Sequence, residues 1–87
     1  MSIILKQEIG VVARQLITLP VHAKILSFQK QRNKLVIWYM AEQNEVLERR
    51  IFQVIGTGNE FYTKMENLQY IGTVQDDNFV WHLFEEH

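Results

Sequence analysis

The end of the chain constrains the fold most. Two short apolar runs, Tyr70-Ile71-Gly72-Thr73-Val74-Gln75 and Phe79-Val80-Trp81-His82-Leu83-Phe84, flank the polar triplet Asp76-Asp77-Asn78. Asp and Asn tolerate turn geometry because their side chains hydrogen-bond nearby backbone, so the segment reads as a β-hairpin. Side chains alternate along a strand. Phe79, Trp81 and Leu83 therefore face one way and Val80, His82 and Phe84 the other, which leaves the last strand apolar on both faces apart from His82. Such a strand belongs at the centre of a barrel or sandwich, or presents one apolar face to a partner. In the preceding strand the same rule puts Tyr70, Gly72 and Val74 on one face and Ile71, Thr73 and Gln75 on the other.

The rest of the chain repeats the theme. Ser2 to Glu8 alternates as a half-buried strand bounded by Gly10, and Leu16-Ile17-Thr18-Leu19 is a short strand ending at the only proline, Pro20. Ala23 to Gln29, with Leu26 and Phe28 on one face and Ile25 and Ser27 on the other, forms a hairpin with Lys34 to Met40 across Gln31-Arg32-Asn33. Glu42-Gln43-Asn44-Glu45 connects to a long strand, Val46 to Ile55, which Gly56-Thr57-Gly58 stops. Asn59 to Leu68 alone lacks alternation, and reads either as a loop or as a helical turn over Phe61 to Met65 capped by Asn59. Short connections favour an antiparallel meander. The expected class is all-β, or β-rich with one short helix: a small antiparallel barrel or sandwich of about seven strands in one domain over residues 1–87.

Composition narrows the setting. A chain of 87 residues buries only roughly 60 to 65% of its unfolded surface. No cysteine is present, so neither disulfides nor thiolate metal sites can staple the fold. Self-association through an open strand edge is the remaining route to extra stability, and a homo-oligomer is expected. Lys+Arg 9 against Asp+Glu 10 argues against a broad phosphate-binding surface. The apolar start, Ile3-Ile4-Leu5, is too short for a signal peptide or membrane span, so the expected location is cytoplasmic.

Few residues suggest chemistry. Gly56-Thr57-Gly58 lacks the lysine and the glycine spacing of a phosphate loop and fits a strand-ending turn, although backbone N–H groups in such a turn can form an anion nest. Arg49 and Arg50 are strand neighbours and point to opposite faces, so only one can join a given pocket. Beside Trp38, Tyr70 or Trp81 that arginine would make a stacking and charge site for a nucleotide. His22, His82 and His87 have no metal-ligand spacing, and no metal or cofactor is expected. Asp76-Asp77 and Glu85-Glu86 are adjacent pairs rather than carboxylates facing across a cleft, and Ser2 and Ser27 lack partners for nucleophilic work. Enzymatic activity is not expected.

Several segments in order, Leu19-Pro20, Ala23-Lys24-Ile25-Leu26-Ser27, Trp38, Phe52 to Gly58, Tyr70 to Gln75 and Phe79 to Glu85, resemble a family of short uncharacterised proteins of tailed phages, prophages and bacteria. The resemblance covers nearly the whole chain. It departs from the family pattern between Gly58 and Leu68, where a proline-rich loop is expected. A phage origin implies a protein that acts by stoichiometric binding in the cytoplasm of an infected host. The reading placed first is a counter-defence sponge that sequesters a nucleotide-derived immune signal, of cyclic oligonucleotide or cyclic ADP-ribose type. Its ligand residues would come from Trp38, Arg49, Arg50, Gly56, Thr57, Gly58, Tyr70, Thr73, Trp81 and His82. The alternative is a module that binds a host protein or serves in phage assembly. Single-stranded nucleic acid binding comes third, disfavoured by the near-neutral charge.

Overall fold

The computed structural model describes residues 1–87 and contains seven strands in two antiparallel sheets. The strands are β1 (Ser2–Ile9), β2 (Gln15–Pro20), β3 (Lys24–Gln31), β4 (Lys34–Glu42), β5 (Leu47–Gly56), β6 (Leu68–Asp76) and β7 (Phe79–Glu86). The three-stranded sheet has the order β1-β4-β3 and the four-stranded sheet β2-β5-β7-β6. The all-β expectation holds, and the two separate ladders make the fold a two-sheet packing rather than a closed barrel.

The order also corrects the expected meander. β4 and β5 are consecutive in sequence but lie in different sheets, and β1 pairs with β4 rather than β2. Two hairpins survive as read. β3 and β4 turn through Arg32-Asn33, and β6 and β7 through Asp77-Asn78, each with a positive φ at the first loop residue, 59° at Arg32 and 55° at Asp77.

Inner faces of both sheets meet in one cluster. β4 contributes Leu35, Ile37, Tyr39 and Ala41, and the four-stranded sheet contributes Leu19, Phe52, Val54, Val74 and Leu83. Phe52, Leu19, Ile37 and Leu83 are completely buried, and burying each such side chain stabilises the fold by about 1.5–3 kcal/mol. β7 lies between β5 and β6, the central position its doubly apolar pattern requires.

Two bulges overturn the simple alternation. Register shifts between Ile25 and Ser27 put Ile25 and Phe28 on the inner face and leave Leu26 43% exposed. A second shift between Tyr70 and Gly72 sends Tyr70 to the outer face with Thr73, not inward with Val74. An extra residue on one strand reverses every side chain beyond it. The second bulge also places Gly72 at the seam between the sheets, where an added Cβ would lie 3.1 Å from Phe28 Cβ. Further along the same seam Lys30 Nζ meets an Asp76 carboxylate oxygen at 2.7 Å.

Between Gly56 and β6 the chain contains a single 3₁₀ turn, Met65–Asn67, with no side-chain cap. No helix starts at Asn59. Its N–H instead closes the turn onto the Gly56 carbonyl at 3.0 Å.

Candidate functional site

The outer face of the four-stranded sheet collects residues from distant parts of the sequence. His82 on β7 lies opposite Ile55 on β5 and Thr73 on β6. Its Nδ1 is 2.9 Å from Thr73 Oγ1, and its Nε2 is 2.8 Å from Thr57 Oγ1. Thr73 Oγ1 in turn shares a 2.6 Å hydrogen bond with the Tyr70 hydroxyl. The result is a line of polar groups, Tyr70, Thr73, His82 and Thr57, across three elements. Each threonine hydroxyl can donate or accept, so the line satisfies a neutral imidazole in either tautomer.

Aromatic surface flanks this line. Tyr70, 57% exposed, packs edge-on against Phe84 with ring centroids 5.6 Å apart. On the far side of β7 the loop after Gly58 folds back over β5. The Gln53 side-chain amide donates to Thr63 Oγ1 at 2.8 Å and to Glu86 at 3.1 Å, and Arg14 Nε donates to the same Glu86 oxygen at 2.8 Å. These bonds hold Phe61 and Tyr62 beside a groove of about 300 Å³ that Ala13, Arg14, Gln53 and Ile55 also line. Tyr62 itself is 91% exposed. The Arg14 guanidinium, followed by the Gln53 amide, keeps the Glu86 carboxyl below its usual pKa.

Four of the ten residues expected to form a site are therefore joined by hydrogen bonds on this face: Thr57, Tyr70, Thr73 and His82. The others are dispersed. Trp38 lies on the outer face of the other sheet, between Lys6 and Ser27. Arg49 is on the same outer face as His82, but it is exposed opposite Thr18 on β2, away from the line through His82. Arg50 points inward and is committed: it donates to both Glu85 carboxylate oxygens, at 2.6 and 2.7 Å, and to the Ala23 carbonyl at 2.5 Å. The Glu85 hydrogen bond raises its pKa further. Trp81 faces inward, stacked on Phe79 with centroids 5.5 Å apart and the planes 12° from parallel. Its indole N–H is buried without a hydrogen bond of ordinary geometry. Nearby Asp76 is held below its usual pKa chiefly by Lys30, with a smaller contribution from Trp81.

The glycine turn is structural. Gly56 is buried, and a Cβ there would come within 2.7 Å of Asn59 Nδ2 and 3.0 Å of the Trp81 ring. Gly58 takes a φ of 87°. The Thr57 N–H is given to the Val80 carbonyl and the Asn59 N–H to the Gly56 carbonyl, so only the Gly58 N–H is left for an anion, and an anion nest needs successive amides.

Residues of this face that the sequence did not single out are Phe84, Gln53, Phe61 and Tyr62. Phe84 had a signal in the doubly apolar pattern of β7. The loop residues had none, because their placement depends on the Gln53 to Thr63 bond across the sheet.

Fold and face together define a small all-β domain with one open aromatic and hydrogen-bonding sheet surface. The chain belongs to the family described as Domain of unknown function (DUF7352), which it matches over residues 1–87. No curated protein and no solved structure gives a significant match. No helix is long and apolar enough to cross a membrane.

Proposed function

We propose that this is a non-enzymatic binding protein that acts by stoichiometric capture, and that its capture surface is the outer face of the four-stranded sheet. The occupant best suited to that face is a protein. The carrying observation is the joint exposure of Tyr70 at 57%, which ends the hydrogen-bonded line through His82, and of Tyr62 at 91%, beside the groove that Gln53 and Ile55 line. Tyrosines give large contact area with a polar tip at small entropic cost, which is why they anchor protein interfaces. The groove beside Tyr62, about 300 Å³, is at the small end of what ligand pockets offer, whereas the two exposed tyrosines suit protein docking. In the setting that the phage resemblance implies, the partner would be a host factor or an assembly component in the infected cell.

A second reading, the nucleotide sponge, is favoured by the line Tyr70, Thr73, His82 and Thr57 itself, which offers phosphate and sugar donors beside an aromatic ring. Arg50, Trp38 and Trp81 do not take part in it. One paired experiment separates the readings. Bacterial lysate is passed over the immobilised wild type and over Tyr62→Ala/Tyr70→Ala, while thermal unfolding is followed with cyclic dinucleotides, cyclic trinucleotides and cyclic ADP-ribose isomers. Capture is expected to be lost in the double variant at unchanged stability. Equal capture by both proteins would overturn the first reading, and a ligand shift of roughly 10 °C or more with one nucleotide class would establish the second.

A further inference from the structure

β1 is the long strand whose second side is open. β2 covers only Gln15–Pro20 and ends in a proline without an N–H. β3 and β6 shield one another along Phe28 with Gly72 and Lys30 with Asp76. β1, by contrast, runs from Ser2 to Ile9 and pairs only with β4. The Gln43 N–H donates to the Met1 carbonyl at 3.0 Å. Odd-numbered residues of β1 therefore carry the ladder to β4. The even-numbered ones, Ser2, Ile4, Lys6 and Glu8, turn their N–H and C=O groups to the open side. Local contacts agree. The Glu8 carbonyl accepts only the neighbouring Gln7 side chain, at 3.1 Å. At Gly10 the Gln15 side chain makes both bonds a neighbouring strand would make, 3.0 Å from the N–H and 2.8 Å to the carbonyl. Gln15 thus closes the edge at Gly10 and leaves it open from Ser2 to Glu8.

We infer that a second copy of the chain adds its own β1 to this edge, antiparallel, about a twofold axis at Gln7. Side-chain chemistry selects the register. Centred on Gln7, Lys6 faces the partner's Glu8 and Glu8 faces the partner's Lys6 on the outer face. These two pairs alone carry the ladder, because Gly10, which stands opposite the partner's Ile4, is already bonded to Gln15. On the inner face Leu5, which is 39% exposed, covers the partner's Ile9. Centring on Leu5 would set Lys6 against Ile4. Centring on Lys6 or on Glu8 would oppose like charges, which is destabilising in a cross-strand pair. Lys6 and Glu8 are exposed, held only by Gln31 at 2.6 Å and by Lys34 at 3.5 Å, so both are free to turn to a partner. The chain also has reason to associate, since only 16 of its 87 residues are buried. Pairing through β1 leaves the tyrosine face of each copy free and makes the assembly bivalent.

Charge exchange tests this pairing. Sedimentation equilibrium should give the wild type about 20.8 kDa, twice the 10.4 kDa of one chain. Lys6→Glu and Glu8→Lys should each be folded by circular dichroism and monomeric. Each opposes like charges at two symmetric positions, and the dissociation constant should rise on the order of a hundredfold. Mixed in equal amounts, the two variants should form a heterodimer, and Lys6→Glu/Glu8→Lys should recover the homodimer. A monomeric wild type at high concentration would overturn the inference. So would single variants that remain dimeric, or a mixture that stays monomeric.

Discussion

Replacing Arg50 by methionine asks whether this arginine holds the fold or serves a ligand. Its guanidinium bridges Glu85 on β7 and the Ala23 carbonyl at the start of β3, so it ties the two sheets together. The side chains of Arg50 and Glu85 are only 16% and 17% exposed. Methionine keeps an apolar stem but offers no donor, and it gives up the guanidinium that lies 5.9 Å from the Phe52 ring centroid. Breaking a fully buried ion pair costs about 3–5 kcal/mol, because the surviving charge stays in low dielectric without a partner. Residual exposure lets some water reach Glu85, so the expected cost is about 2–4 kcal/mol. For a domain of this size that lowers Tm by roughly 10–30 °C. Arg50→Met/Glu85→Leu removes both charges and should recover most of the loss, leaving only the Ala23 carbonyl short of a partner at about 1 kcal/mol. Urea unfolding of the wild type, both single variants and the double variant gives the coupling energy directly. An Arg50→Met protein as stable as wild type would refute this structural role, and loss of capture in that stable protein would return Arg50 to the binding site.

Leu83→Ala, on the inner face of β7, should cost about 2–5 kcal/mol by opening a cavity, whereas His82→Ala, one residue away on the outer face, should cost about 1 kcal/mol or less; equal losses in thermal melts would mean that the faces are misassigned. Arg32 holds a φ of 59°, and Arg32→Gly should raise stability by about 0.5–1 kcal/mol by relieving that conformation, with a fall in the urea midpoint as the opposing result. Asp76, Glu86 and Glu42 are held below their usual pKa, first by Lys30, by Arg14 and by the N-terminal ammonium respectively. Their folded forms bind fewer protons than the unfolded chain, so their contribution is complete above about pH 5 and lost as pH falls through the lowered values. Denaturation midpoints that stay level or rise from pH 6 to pH 3 would contradict this.

The strands were legible because alternation and turn residues are local signals. Every expected strand exists, and the doubly apolar β7 is central. Partner order was not legible. Nothing local says that β4 leaves its successor to pair with β1. The bulges at Leu26 and Ile71 carry no compositional mark, yet each reverses a face. Gly72 is visible in the sequence, but its reason, the approach of Phe28, is a contact between sheets. The same limit governs the site. Thr57, Thr73 and His82 came together because β5, β6 and β7 are neighbours, while the aromatic and cationic residues chosen for their chemistry, Trp38, Arg50 and Trp81, lie on other faces. Residue type narrows what a side chain can do, and sheet order decides where it can do it.

Photocrosslinking tests the capture surface most directly. A photoreactive phenylalanine analogue replaces Tyr70, on the outer face of the four-stranded sheet, or Gln29, exposed on the other sheet. Both proteins are then irradiated in bacterial lysate. A discrete protein adduct from position 70 and none from position 29 is the predicted result. An adduct from position 29 alone, or only self-adducts from position 70, would contradict the assignment of that face.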